Sequence, residues 1–247
     1  MSSIPIAAPF SVTRIVSTLV FSEAGGKFCT PVKELQQKLG KTRAIIFDWD
    51  GVFNNGAKSD ATGSPFAEPD SMGVNLLRFS FWLNAQRIPP TAVLSGEENK
   101  SGLYLAKREH YAAVYFKSTD KIKALNHFLK THQLKAEEVI FVFDDVLDLS
   151  LAEVCGVRIQ VNRKASPLFN QWVALHHLAD YVTAQEGGNF AVREACELIL
   201  GLNGNFDAAI KGRMTFSDNY QAYLAARQTV ETQVFYLIDG DIREVGE

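Results

Sequence analysis

Asp48 and Asp50 stand two positions apart in the stretch AIIFDWDGVF, residues 44–53, where an apolar run ends just before Gly51. Carboxylates are among the side chains least often buried unless they are paired or hold a metal. Further along, Ser95 closes the short run TAVLS, and Lys121 opens a segment of helical periodicity. Asp144 and Asp145 close a second apolar run, EVIFVFDD, residues 138–145, with Asp148 three positions on. These are the group types that phosphoryl transfer needs. A carboxylate can take up phosphorus as an aspartyl-phosphate. A second acid can protonate the leaving oxygen and later activate water. Several carboxylates attract Mg2+, a hard cation that prefers oxygen ligands. A lysine and a hydroxyl can stabilise charge on the phosphoryl oxygens. Gly51 lets backbone N–H groups approach the phosphate.

Such residues work together only if the elements that carry them meet. From residue 43 the chain alternates strand-like and helix-like segments. RAIIFD (43–48), PTAVLSG (90–96), AAVYF (112–116), EVIFVFDD (138–145), VRIQV (157–161) and ADYVT (179–183) read as strands. Between them, residues 71–86, 97–110, 118–132, 148–156 and 166–177 read as helices, and 187–201 as a glycine loop feeding a helix. Residues 51–70, rich in Gly, Asn, Ser and Pro, read as a turn followed by a loop or short β-hairpin. Alternation with short connections predicts an α/β fold: a Rossmann-like parallel sheet flanked by helices on both faces. Ligands of such sheets bind beyond the carboxyl ends of the strands, where Asp48, Ser95, Asp144 and Asp145 all fall.

The chain has 247 residues, 47% hydrophobic and 21% charged, with a net charge of −3. That balance gives no reason to expect nucleic-acid binding. Cys29, Cys155 and Cys196 lie far apart with no CxxC spacing, which speaks against a disulfide framework or zinc site and for a reducing, cytoplasmic compartment. The apolar run IVSTLVF (15–21) is too short to span a bilayer, and no leader pattern opens the sequence, so no membrane association is expected. Three parts are expected: an N-terminal extension over 1–42, in which TPVKELQQKLG reads as a helix capped by Thr30; a main α/β unit over 43–201 that carries the candidate chemistry; and a C-terminal extension over 202–247. His176 and His177 are adjacent, point in different directions on a helix and lack a third partner, so they read as packed or solvated.

The motifs together resemble a known family. FDWDGV, LSG (94–96), Lys121 and FDDVLD (143–148) resemble, in order and spacing, the signatures of the haloacid dehalogenase superfamily. DGVFNNG (50–56) and ADYVTAQEGGNFAVREACELIL (179–200) are similar to segments of its 3-deoxy-D-manno-octulosonate 8-phosphate (KDO 8-phosphate) phosphatases. The resemblance covers about residues 43–201. It implies a Mg2+-dependent phosphomonoester hydrolase acting on a small phosphorylated metabolite, a sugar or sugar-acid phosphate. Asp48 would be the nucleophile and Asp50 the general acid and base. Ser95 and Lys121, with Gly51 and Gly96, would hold the phosphoryl group. Asp48, Asp50 (through its backbone carbonyl), Asp144 and Asp145 would hold the metal, with Asp148 in support or as a helix cap. It also implies a capless core and a homotetramer in which the Gly-Gly segment reaches a neighbour's site.

Four residues depart from the family pattern: Phe143 where glycine precedes the acid pair, Asn55, Glu97 after LSG, and Phe190 in the glycine loop. They allow a second expectation, a catalytically weak scaffold that serves as regulatory or assembly partner of a sugar-activating enzyme. A response-regulator receiver is disfavoured, because there the acid pair comes first and the lysine last.

Overall fold

The computed structural model describes residues 18–58 and 63–246. Five parallel strands form its centre. β2 (Ala44–Asp48), β3 (Thr91–Leu94), β4 (Ala113–Phe116) and β5 (Val139–Phe143) are buried throughout, and β6 (Val157–Asn162) is mostly so. Such continuous apolar strands suit a sheet covered on both faces. The period of two divides them. Ile45, Phe47, Val93, Val114, Ile140 and Val142 face one core. Ala44, Ile46, Leu94, Tyr115, Phe141 and Phe143 face the other. The first core is closed by α2 (Glu68–Ala85), α3 (Lys100–Arg108) and α7 (Ala191–Asn203). The second is closed by α4 (Lys121–His132), α5 (Leu149–Ala152) and α6 (Pro167–Leu175).

Both flanks of the chain join this sheet. β1 (Lys27–Phe28) pairs antiparallel with β7 (Tyr181–Glu186) at one edge. At the other, β8 (Gln233–Ile238) pairs parallel with β4, and β9 (Asp241–Glu244) returns antiparallel to β8. The full order is β1-β7-β6-β5-β2-β3-β4-β8-β9. α1 (Val32–Leu39) lies on α7, where Gln36 Nε2 donates to the Leu202 carbonyl at 3.2 Å. α8 (Phe206–Met214) and α9 (Asp218–Arg227) cover α2. The division at residues 42 and 201 is therefore not visible as a break in the sheet.

Two local expectations are corrected. Thr30 does not cap α1; its hydroxyl donates to buried Asp180 at 2.6 Å, and Pro31 stands at the cap. The short β-hairpin after β2 is not formed by described residues 51–58 and 63–67, which carry turns, bends and coil. There Asn54 Oδ1 accepts from Gly56 N at 2.8 Å and Asn55 Oδ1 from Ala57 N at 3.0 Å. Such side-chain turns divert backbone donors from a strand ladder. Among the described residues, no helix is long and apolar enough to cross a membrane.

Candidate active site

The chain runs from β2 to β3 and β4 on one side, then returns to place β5, β6 and β7 on the other. The reversal falls between β2 and β5, and in open α/β sheets that is where ligands bind. Asp48 ends β2 and Asp144 follows β5, in a register that sets Phe47 opposite Val142. Asp48, Asp144 and Asp148 are all buried, and each offers a carboxylate oxygen within 4.8 Å of the others.

Lys121, the first residue of α4, joins this group. Its ammonium donates to Asp48 Oδ1 and, at 2.5 Å, to Asp148 Oδ1. Burial alone would lower the lysine, but the two carboxylates more than reverse that and hold it charged, above its ordinary value. Burial first, then Asp148, pushes the Asp48 carboxyl up to about 7 against the opposing pull of Lys121. Burial, Asp48 and Asp148 push Asp144 up to about 9, opposed by Arg163. So much negative charge in so little water is held only if cations share the site.

The remaining predicted residues take separate places. Ser95 directly follows β3 and is buried; its Oγ accepts from Glu97 N at 3.2 Å, and its carbonyl accepts from Ser118 N at 3.1 Å, tying it to the loop before α4. Gly96 follows it at the rim and is half-buried. Gly51 has φ +88°, and a Cβ there would come within 2.6 Å of Asp144 Cγ, so the turn needs glycine for conformation and for space. Asp50 lies outside the three-carboxylate group: its Oδ1 accepts from Ser64 Oγ at 2.6 Å, and its Oδ2 lies 3.7 Å from Lys58 Nζ. Asp145 is exposed and caps the following turn, accepting from Val146 N at 2.7 Å. Asp148 has two roles: while Oδ1 holds Lys121, Oδ2 accepts from the backbone N–H of Asp144 and Asp145 at 3.3 and 3.2 Å.

Sequence reading missed Arg163. It follows β6 at the same rim, and its guanidinium donates to Asp144 Oδ2. The rim logic that selected Asp48 and Asp144 applied equally to a cation after the next strand. The departures from the family pattern are also placed. Phe143 stacks on Phe141 at 5.6 Å within the second core, so it fills the interior rather than crowding the carboxylates. Glu97 and Asn55 are exposed. Phe190 is 45% exposed and caps α7 with φ 65°. The Gly187-Gly188 segment packs on its own chain: a Cβ at Gly188 would lie 2.8 Å from Asn55 N.

The donor set fits a divalent cation. It consists of hard carboxylate oxygens from two adjacent strand ends, and Asp144 Oδ1 is buried without any hydrogen-bond partner. Chemically the arrangement can present a carboxylate to phosphorus beside a cation and a fixed ammonium.

No family model matches the chain. The KDO 8-phosphate phosphatase KdsC of Salmonella typhi is 29% identical over 196 residues, covering 76% of this chain and 97% of its own length. That of Escherichia coli K12 is 28% identical with the same coverage. Among solved structures, the KDO 8-phosphate phosphatase of Moraxella catarrhalis, in complex with a magnesium ion, a phosphate ion and KDO, is 26% identical with a TM-score of 0.60. The match covers 75% of this chain and 99% of that one. The enzyme of Yersinia pestis is 27% identical, with a TM-score of 0.56, covering 70% and 89%. The chain has a haloacid dehalogenase-like fold and, with these relatives, is a phosphoric monoester hydrolase. Within that class the chain is similar to the KDO 8-phosphate phosphatases, at 26–29% identity to the relatives and structures above.

Proposed function

We propose that the protein is a Mg2+-dependent phosphatase that works through an aspartyl-phosphate and cleaves a small phosphorylated sugar acid of the KDO 8-phosphate type. The observation that carries this reading is the gathering of Asp48, Asp144 and Asp148 within 4.8 Å, with Lys121 donating to two of them. A carboxylate of Asp48 attacks phosphorus, and the P–O bond to the sugar breaks. The departing alkoxide takes a proton from Asp50. Asp50 then draws a proton from water, whose oxygen attacks the same phosphorus and releases phosphate from Asp48. Ser95, Lys121 and the N–H groups at Gly51 and Gly96 hold the phosphoryl oxygens. Asp48, Asp144 and the Asp50 carbonyl would hold Mg2+, with Asp145 beside them; the bound ion would supply positive charge for the phosphoryl group.

In this reading residues 43–201 are the phosphatase unit, and 1–42 and 202–247 are additions to it. A cytoplasmic setting is supported by three free cysteines, two of them buried. A tetramer is supported by the resemblance alone. The test is phosphate release from KDO 8-phosphate and a panel of phosphorylated sugars, with Mg2+ and after chelation. Asp48→Asn should reduce turnover by at least about a thousandfold, and chelation should abolish it reversibly. Equal rates for the wild type and Asp48→Asn would overturn the reading.

A further inference from the structure

Arg163 stands between solvent and the carboxylates. Its main chain is pinned, because Ser166 N and Asn170 Nδ2 donate to its carbonyl at 3.1 and 3.0 Å. Its side chain is 35% exposed, whereas that of Asp144 is 1% exposed. The guanidinium lies along the Gly51–Gly56 turn, where a Cβ at Gly56 would sit 4.0 Å from Nη2. The acid is thus fixed by the strand end, while the cation is long, jointed and open to water on one side.

Charge is divided unevenly among the three carboxylates. Lys121 serves Asp48 and Asp148, and Arg163 serves Asp144. A divalent cation held by this group needs the Asp144 carboxylate that Arg163 already engages. Two cations on one small carboxylate repel strongly where water is scarce. The guanidinium, 35% exposed, can swing out to water when an ion takes the carboxylate.

Resting on the metal reading above, we propose that Arg163 is a resident counter-cation that competes with the divalent ion for Asp144. Loading the metal requires the guanidinium to leave Asp144 Oδ2. The side chain therefore sets how tightly the site holds its ion, a role distinct from contact with phosphorus.

Calorimetric titration of the full-length protein with Mg2+ tests this. Arg163→Gln and Arg163→Ala should bind Mg2+ about tenfold more tightly than the wild type, because the competing charge is gone. Asp144→Asn should bind at least about tenfold more weakly. Unchanged affinity in both Arg163 variants, with weakened binding in Asp144→Asn, overturns the competition and leaves the metal reading intact. Wild-type affinity in Asp144→Asn overturns the metal reading and the competition with it. A measurement on the wild type covers the case of misfolded variants. The arginine side-chain 15N–1H resonance of Arg163, identified by its loss in Arg163→Lys, should move on Mg2+ addition; a resonance that stays put overturns the proposal.

Discussion

Asp180 shows at the scale of one residue how this chain handles buried charge. It starts β7's approach to the sheet and accepts hydrogen bonds from Thr30 at 2.6 Å, Lys38 at 2.7 Å and Arg158 at 3.0 Å. Burial alone would raise its carboxyl; the hydrogen bonds from Arg158, Lys38 and Thr30 more than reverse that and hold it at about 2, against an ordinary 3.8. A depressed carboxyl stabilises the fold above its ordinary value and loses that contribution as pH falls through the folded value. Asp180→Asn should therefore be less stable than the wild type by about 2 kcal/mol at pH 7. The gap should close between about pH 4 and pH 2 as Asp180 protonates. Urea unfolding across that range reads it, and a gap independent of pH would contradict the assignment. The candidate site residues differ in how far sequence reveals them. Asp48, Ser95 and Asp144 are legible because each ends an apolar strand. Asp145 and Asp148 are not separable by pattern, since the turn after β5 decides which carboxylate turns inward.

The elements that a motif search leaves unexplained are tightly used. Helices α8 and α9 close the outer side of α2: Tyr220 donates to Asn75 Oδ1 at 2.9 Å, Tyr223 donates to the Asn75 carbonyl at 3.2 Å, and the Tyr220 ring meets Phe79 edge-on at 5.0 Å. Tyr223 is fully buried, so Tyr223→Ala should remove about 3–5 kcal/mol of stability through the cavity it leaves. Chemical unfolding measures this, and a loss below about 1 kcal/mol would mean that α9 is only loosely docked. The glycine loop before α7 is equally anchored within the chain. Glu194 accepts from Tyr181 OH and from the backbone N–H of Ala184 and Gln185 at 2.7, 2.8 and 2.9 Å, which fixes the strand that leads into Gly187 and Gly188. His176, half of a tempting metal pair, stacks on Trp172 at 4.0 Å.

Across the whole molecule, the two flanks close opposite edges of one sheet, on either side of the reversal between β2 and β5. β8 covers the edge of β4, which would otherwise present unpaired N–H and C=O groups, a template for association. Truncation after residue 204 strips β8 and β9 from that edge and uncovers the apolar side of α2. The shortened chain should aggregate or lose its cooperative thermal transition, as read by size-exclusion chromatography and calorimetry. A monodisperse, cooperatively melting product would show that 205–247 is a dispensable addition.

Local pattern determined the α/β alternation, the carboxylates at strand ends and the phosphoryl-transfer chemistry they suit. Strand burial and polar termini are properties of a few adjacent residues, and they are written in one stretch of chain. Tertiary structure alone decided that Arg163 faces Asp144, that Asp148 joins the carboxylate group in place of Asp145, and that both flanks complete one sheet. Those outcomes depend on segments distant in sequence competing to bury the same surface and neutralise the same charge. No short window contains both competitors.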